Sequence, residues 1–177
     1  ISDKVLKDMK RNITKKQTID LVNTIREKVP GISLRTTMLT GFPTETEEDF
    51  NELMEFIEEM KFDRLGVFMY SHEENTSAHK LEDVHSEDEK LERQQRLMEV
   101  QSAVSFELNQ NKVGKTFKVL LDRVESGVYY GRTEFDSPEV DNEVVIQTDK
   151  HLRLGDFVMV KIIDATEFDL EGEIVVE

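Results

Sequence analysis

The residues best suited to ligand chemistry lie in one strand–turn–helix stretch, LRTTMLTGFPTETEEDF, at residues 34–50. Its β-branched run predicts a buried strand, which Gly-Phe-Pro breaks before the acidic start of a helix. Gly41 lets a ligand approach the backbone closely, and Phe42 with Pro43 offers a flat apolar wall for a purine. Arg35 lies in the apolar strand, so we expect it to be buried and paired with a carboxylate of the protein or of a ligand.

The same stretch also has a purely structural interpretation. Carboxylates in the first turn of a helix stabilise its dipole, so the acidic residues after the break need no ligand to explain them. These residues are Glu45, Glu47, Glu48 and Asp49. The residues alone therefore favour a binding site and a plain strand-to-helix connection about equally.

A second polar segment, MYSHEENTSAHK at residues 69–80, follows the next predicted strand. The carboxyl ends of neighbouring parallel strands meet at one rim, so we expect Tyr70 to contact the same ligand as the Gly-Phe-Pro turn. Potential metal ligands also occur here, but their loose spacing favours a solvated loop, and we predict no metal site. They are His72, Glu73, His79 and His85.

A third candidate site is the segment YYGRTEFDSPEVDNEV at residues 129–144. Paired aromatics beside an arginine can stack nucleic-acid bases. However, residues 115–177 hold seven Lys and Arg against fifteen Asp and Glu, a net charge of −8. Such a charge repels phosphate and favours a basic protein as the partner. We predict these partner-binding residues: Tyr129, Tyr130, Arg132, Glu139, Asp141 and Glu143.

Composition excludes several classes of protein. The chain has 177 residues, a net charge of −15 and no cysteine. Without cysteine it can form no disulfide, no thiolate nucleophile and no iron–sulfur cluster of its own. No apolar run approaches the ~18 residues that span a bilayer, and no signal-peptide pattern opens the chain. We expect a soluble, cytoplasmic protein with no membrane partner.

Helix and strand signals alternate through the first 114 residues. Buried strands are predicted at 32–40 and 64–71, and a long helix with a solvated outer face follows them. This order predicts the C-terminal portion of an α/β barrel or doubly wound sheet. Two strands cannot form such a sheet alone, and the chain begins with Ile1 rather than Met, so we expect a fragment. The predicted helix caps are Ser2, Thr14, Thr46 and Ser86.

From residue 115 the hydrophobic period changes to two, which indicates strands. Five short strands in about sixty residues predict a small antiparallel barrel. We therefore place an α/β part at residues 1–114 and an all-β part at residues 115–177. The predicted strands lie at 117–121, 128–133, 143–147, 157–163 and 171–176.

These motifs resemble one enzyme family. RTTMLTGFPTETEEDF followed by FDRLGVFMYSHEENTSA resembles the last two strand–helix units of the radical S-adenosylmethionine methylthiotransferases. The last sixty residues resemble the TRAM domain of that family, a five-stranded OB-like barrel. ISDKVLKDMKR and YYGRTEFDSPEVDNEV resemble the branch that methylthiolates an aspartate β-carbon of the small-subunit ribosomal protein twelve.

The resemblance implies cofactors and a partner. The complete enzyme would use S-adenosylmethionine and two 4Fe-4S clusters, whose cysteines are not in this chain, so the chain alone should be inactive. Its partner would be a basic ribosomal protein of the small subunit. The resemblance assigns no catalytic residue. It implies that the S-adenosylmethionine site is shaped by Arg35, Thr36, Thr37, Gly41, Phe42, Pro43 and Tyr70.

Two other functions remain open at this stage. One is a tRNA methylthiotransferase, whose barrel would bind RNA. The other is a non-catalytic module, in which a partial α/β scaffold and an acidic barrel only bind protein. A three-cysteine motif upstream of Ile1 would distinguish an enzyme from such a module.

Overall fold

Side-chain caps set where the helices begin. The computed structural model describes residues 1–138 and 140–175. Thr14 and Thr46 each accept a hydrogen bond from the N–H three residues on, and the side chain there accepts one from the cap N–H in return. Ser2 and Ser86 also accept from the third N–H beyond them, so all four predicted caps are confirmed. The helices are α1 (Asp3–Asp8), α2 (Lys15–Lys28), α3 (Glu47–Met60) and α4 (Glu87–Gln110), with a 3-10 turn at Ala78–Lys80.

Two parallel strands, β1 (Arg35–Thr40) and β2 (Arg64–Met69), form the sheet of the first part. β1 begins three residues later than predicted, because the N–H of Leu34 donates to the Asp63 carboxylate at 2.8 Å. One face of the sheet is covered by helices and carries the apolar core. That core includes Val22, Phe50, Phe56, Ile57, Leu97, Met38 and Val67.

The opposite face of the same sheet is open. Side chains alternate between the faces of a strand, and Thr37 lies opposite Gly66 on this second face. Both are exposed, and Phe68 beside them is 63 % exposed. A large exposed aromatic on a sheet face is typical of a surface that contacts a ligand or another protein segment.

The two edges of this sheet differ. The N–H of Tyr70 donates to the Thr40 carbonyl at 2.9 Å, so even-numbered residues of β2 face β1. Val67 therefore directs its carbonyl to the outer edge, where Gln94 of α4 donates to it at 2.6 Å. α4 thus closes the β2 edge, whereas β1 pairs only with β2 in the described part of the chain.

The second part of the chain is a closed five-stranded barrel in the order β3-β4-β5-β7-β6. The predicted barrel is confirmed, but it is mixed rather than wholly antiparallel. β5 and β7 pair in parallel from Val144 opposite Leu170, because the last strand enters between β5 and β6 to close the ring. The last strand was predicted to reach Val176, which lies outside the described residues. The strands are β3 (Thr116–Glu125), β4 (Val128–Arg132), β5 (Val144–Gln147), β6 (Phe157–Ala165) and β7 (Leu170–Ile174).

Every second side chain along the strands points into the barrel and fills its interior. Val119, Leu121, Ile146 and Ile162 are almost fully buried, and the residues between them on each strand face outward. At Gly131 the neighbouring strand is so close that a Cβ would lie 2.4 Å from the Leu120 carbonyl oxygen. Only glycine fits this position without a backbone shift.

The chain divides into two compact units, residues 1–101 and 102–177, a division that falls within α4. In the second unit the last turn of α4 is tied down, since Asn109 and Gln110 donate to the carbonyls of Thr166 and Ala165 at 2.9 and 2.7 Å. The domain boundary predicted at residue 114 stays a prediction. No helix of the described residues is long and apolar enough to cross a membrane.

Gly131→Ala should destabilise the barrel by about 1–3 kcal/mol, because the added methyl group would press on backbone and on Val119 Cγ1, 2.6 Å away. Gly66→Ala is the matched control, a strand glycine whose added Cβ would meet nothing within 4 Å. Urea unfolding followed by tyrosine fluorescence is suitable, since two of the three tyrosines are in β4 and the chain has no tryptophan. Equal midpoints for the two variants would contradict this packing.

Candidate functional site

A cleft of ≈ 540 Å³ lies where β1 and β2 end, at the predicted rim. Its apolar floor includes Leu39, Phe42 and Tyr70, and Lys10 and Arg11 of the α1–α2 connection line it from the other side. A cleft of this size, apolar with a few charged groups, is typical of small-molecule sites. Two of the predicted site residues, Phe42 and Tyr70, are therefore brought together at one cavity.

The Phe42 and Tyr70 rings pack edge to face, with centroids 5.3 Å apart. Phe42 is only 3 % exposed and Pro43 is buried, so little of their surface is accessible in the cleft, and the flat apolar wall for a purine stays a prediction. The two residues instead support the cleft from below, together with Val5. Burial raises the pKa of the Tyr70 phenol, and Asp83 adds to this shift. At neutral pH the phenol is protonated and lies 3.3 Å from His72 Nδ1.

The three candidate residues within β1 all line a second cavity, of ≈ 330 Å³, together with residues of α1 and α2 such as Leu6 and Ile25. Arg35 is exposed at the start of the strand, about 16 Å along the chain from Thr40 at ~3.3 Å per residue, so the prediction of a buried arginine is wrong. Strand alternation places its side chain on the face of the sheet that also carries Gly66. Thr37 shares that face, whereas Thr36 lies on the helix-covered face with Met38.

A buried ion pair beneath the turn was not predicted. Arg93 Nη1 contacts Glu45 Oε1 at 2.6 Å, and both side chains are less than 10 % exposed. The same Glu45 oxygen accepts from Thr40 Oγ1 and from the Gly41 N–H, each at 3.0 Å. Glu45 is therefore a buried part of the turn. It is not a solvated carboxylate that only stabilises the helix dipole.

Lys90 is a second buried cation from the face of α4 that was predicted to be solvated. Its side chain is 1 % exposed, and Nζ contacts Asp83 at 2.7 Å and Glu87 at 2.8 Å. Burial lowers the pKa of Lys90, but these two carboxylates outweigh it and the net pKa is raised. Its stem lies against Gly41 (φ +75°), where a Cβ would come 2.6 Å from Lys90 Cγ.

A signal for this buried face exists in the sequence. Lys90, Leu97 and Val104 are spaced by seven residues, so they fall on one stripe of α4. Leu97 and Val104 are apolar and buried, and the lysine continues the stripe toward the start of the helix. A cation on an apolar stripe indicates a buried ion pair whose partner must be sought elsewhere in the chain.

The four candidate metal ligands do not converge. His85 lies between Glu89 Oε1 and the Glu45 carbonyl, at 2.9 and 3.0 Å, while His72 and His79 pack ring against ring with centroids 4.4 Å apart. Within residues 1–138 and 140–175 no group of three or more His, Asp or Glu is placed to hold a metal ion. Asn75 in the loop between them adopts φ +64°.

The barrel surface differs from the predicted partner-binding set. Tyr129 points into the barrel core, where its hydroxyl accepts from the Leu152 N–H at 3.0 Å, so it cannot be a partner anchor. Alternation leaves Tyr130 outside, with the Arg123 guanidinium 3.7 Å from its ring centroid. Arg132 is outside as well, 3.2 Å from Asp122.

The three predicted acidic anchors give a mixed result. Glu139 lies outside the described residues. Asp141 accepts from the Ser137 N–H at 2.8 Å and so closes a local turn. Glu143 contacts Arg123 at 2.6 Å, which leaves it partly neutralised. None of the described acidic anchors is therefore an unengaged carboxylate.

Comparison with known proteins places both parts of the chain. Residues 113–175 match the TRAM domain, so the barrel belongs to that class. Nearly the whole chain (98 %) aligns with proteins named ribosomal protein uS12 methylthiotransferase RimO. It is 57 % identical to that of Cytophaga hutchinsonii, 54 % to that of Flavobacterium psychrophilum and 50 % to that of Chlorobaculum tepidum. The predicted resemblance is confirmed: the chain is homologous to the part of the RimO methylthiotransferases that it covers, about 40 % of their length.

Lys90→Met keeps the aliphatic stem beneath Gly41 but removes the ammonium, and it should destabilise the protein by about 1–3 kcal/mol at pH 7, because Asp83 and Glu87 lose a charged partner but stay in contact with water. The raised pKa means that this stabilisation is complete below about pH 10.5 and is lost as the pH rises through the folded-state value. The stability gap between wild type and variant should therefore narrow only at strongly alkaline pH. Urea unfolding at pH 7, 9 and 11 measures it, and a gap that closes by pH 9 would contradict the assignment.

Proposed function

We propose that this chain forms part of a radical S-adenosylmethionine methylthiotransferase. The enzyme would add a methylthio group to the β-carbon of an aspartate of ribosomal protein uS12 in the cytoplasm. The observation that carries the proposal is the 47–57 % identity, over 98 % of the chain or more, to proteins named for uS12 methylthiotransfer. Because the chain covers about 40 % of those relatives, the remaining machinery would come from other residues of the protein.

The open sheet face and the rim cleft fit S-adenosylmethionine. Thr37 offers a hydroxyl and Phe68 an exposed aromatic surface on the open face, and the cleft offers an apolar floor over Phe42 and Tyr70. Bound there, S-adenosylmethionine would supply the hydrogen-abstracting chemistry in concert with a cluster. The chain itself would orient this cofactor through the Gly41–Pro43 turn and would exclude water with the packed Phe42–Tyr70 pair. Arg35 and Thr36 are less suited, since they lie at the far end of β1.

The residues of this chain do not fit the two 4Fe-4S clusters. Cysteine thiolates are the usual ligands of such clusters, and the chain has no cysteine. No step that this chain performs is therefore assigned through them, and the chain on its own should lack activity. The sheet supports the same conclusion that the clusters would be held by other residues of the protein. Gln94 covers the β2 edge, so further strands could extend the sheet only at the β1 edge.

The choice of substrate tests the proposed function. The intact protein, with reconstituted clusters and S-adenosylmethionine, should replace one hydrogen of a uS12 aspartate by a methylthio group, as mass spectrometry of the digested protein would show. Unfractionated tRNA is the parallel substrate and should remain unmodified. Methylthiolation of tRNA in place of uS12 would favour the tRNA-modifying alternative, and modification of neither would favour a non-catalytic module.

We also propose that the acidic barrel docks the basic ribosomal protein, rather than RNA. Its net charge of −8 supports this, and so does a small groove of ≈ 160 Å³ on its outer face, lined by Glu171, Glu173, Val145 and Ile163. Both glutamates are exposed. The aliphatic stem of a lysine or arginine can pack on the two apolar residues while its charge meets the carboxylates.

Neutralising the groove tests this docking. In the intact protein, Glu171→Gln with Glu173→Gln should slow association with uS12 several-fold, because the carboxylates steer and hold a cationic partner. Glu134→Gln with Asp149→Asn removes the same charge from exposed positions elsewhere on the barrel and is the matched control. Stopped-flow or biolayer association rates with uS12 and with tRNA would be compared. Stronger tRNA binding together with an unchanged uS12 rate would overturn protein docking at this groove.

A further inference from the structure

The Glu45 carboxylate joins three groups at one atom. Its Oε1 accepts from Thr40 Oγ1 at 3.0 Å, from the Gly41 N–H at 3.0 Å and from Arg93 Nη1 at 2.6 Å. The first two donors belong to the end of β1 and to the first residue of the turn. The third comes from α4, 48 positions away in sequence. One oxygen thus connects the turn to the long helix.

Arg93 is itself held on several sides. Its Nη2 contacts Glu89 Oε1 at 3.1 Å and Glu47 Oε2 at 3.4 Å, and its guanidinium carbon lies 5.2 Å from the centroid of the Phe50 ring. His85 links the same Glu89 to the backbone carbonyl of Glu45. These contacts restrict the orientation of the buried guanidinium, and its contact with Glu45 restricts that carboxylate in turn.

The turn bound by Glu45 connects directly to the rim cleft. Gly41 sits at φ +75° against the Lys90 stem, and the Glu45 N–H closes the turn on the Phe42 carbonyl at 2.8 Å. Phe42 and Leu39, which flank the contact in sequence, both line the rim cleft. A shift of the Glu45 carboxylate would therefore displace the cleft floor directly.

We propose that Arg93 is a positioning residue for the S-adenosylmethionine site, acting through Glu45 on the backbone of residues 40–43. The inference rests on the proposed function, since it assigns to α4 a role in binding that cofactor. Arg93 is not among the residues that line the cleft, so it would act without touching the cofactor. It fixes the side chain that fixes the turn, and the turn shapes the cleft.

Substitutions in the intact protein test this role. Arg93→Met removes the guanidinium, Arg93→Lys retains a charge without the planar fork, and Glu45→Gln retains an acceptor for the Gly41 N–H without the charge. Arg96→Met is the matched control: Arg96 is on the same helix and stacks on the same Phe50 ring at 4.6 Å, but its carboxylate partner is Glu47, at 3.1 Å, and not Glu45. All variants are measured well below their unfolding midpoints, with circular dichroism confirming the fold.

Two readouts separate positioning from stability. The dissociation constant of S-adenosylmethionine, from equilibrium dialysis, should rise at least tenfold in Arg93→Met and less in Arg93→Lys and Glu45→Gln, and should stay unchanged in Arg96→Met. Hydrogen exchange by mass spectrometry should be faster for residues 40–45 in Arg93→Met alone, because the Gly41 N–H has lost its fixed acceptor.

The outcomes distinguish this inference from the proposed function. If wild type binds S-adenosylmethionine and folded Arg93→Met binds it equally well, the positioning role is overturned and the proposed function stands. An equal loss of affinity in Arg96→Met would also overturn it, since any change on that face of α4 would then suffice. If wild type binds no S-adenosylmethionine, the proposed function fails and this role fails with it.

Discussion

The buried contact between Arg93 and Glu45 is the constraint on which the first unit depends. Removing a charge from water costs several kcal/mol, and a buried ion pair gains little over apolar packing unless its other hydrogen-bonding groups also have partners. In this pair they do: Glu45 also accepts hydrogen bonds from Thr40 and Gly41, and Arg93 also donates to Glu47 and Glu89. The pair therefore contributes less to the free energy of unfolding than to the position of one turn, which it fixes relative to the helix that covers the sheet.

Local signals in the sequence predicted the elements well because their causes are local. Thr14 and Thr46 bond to the third N–H beyond them, so a short pattern contains the whole interaction. The period of two after residue 115 predicted a barrel because inward and outward residues alternate on each strand. Even the error about its topology is instructive, since the parallel pairing of β5 with β7 depends on where the last strand enters the ring. No local pattern contains that information.

The site was harder to predict because its key contacts are distant in sequence. Lys90 and Arg93 belong to the outer face of the long helix, which the sequence predicts to be solvated, since a buried cation is costly and no partner lies in the apolar stripe itself. Their main partners come from a loop and a turn, Asp83 and Glu45, which only the folded chain brings beneath Gly41. The error about Tyr129 had a simpler cause. Adjacent residues of a strand point to opposite faces, so Tyr129 and Tyr130 could never both be surface anchors.

The two edges of the two-stranded sheet are not equivalent. Two strands alone are only marginally stable, and here Gln94 closes the β2 edge, whereas β1 pairs with β2 alone among the described residues and Thr37, Gly66 and Phe68 are exposed. The helix that closes the β2 edge is also the helix that supplies Lys90 and Arg93 to the turn. In the role proposed for Arg93, one face of α4 therefore both closes the β2 edge, through Gln94, and holds the turn at the rim cleft, through Glu45.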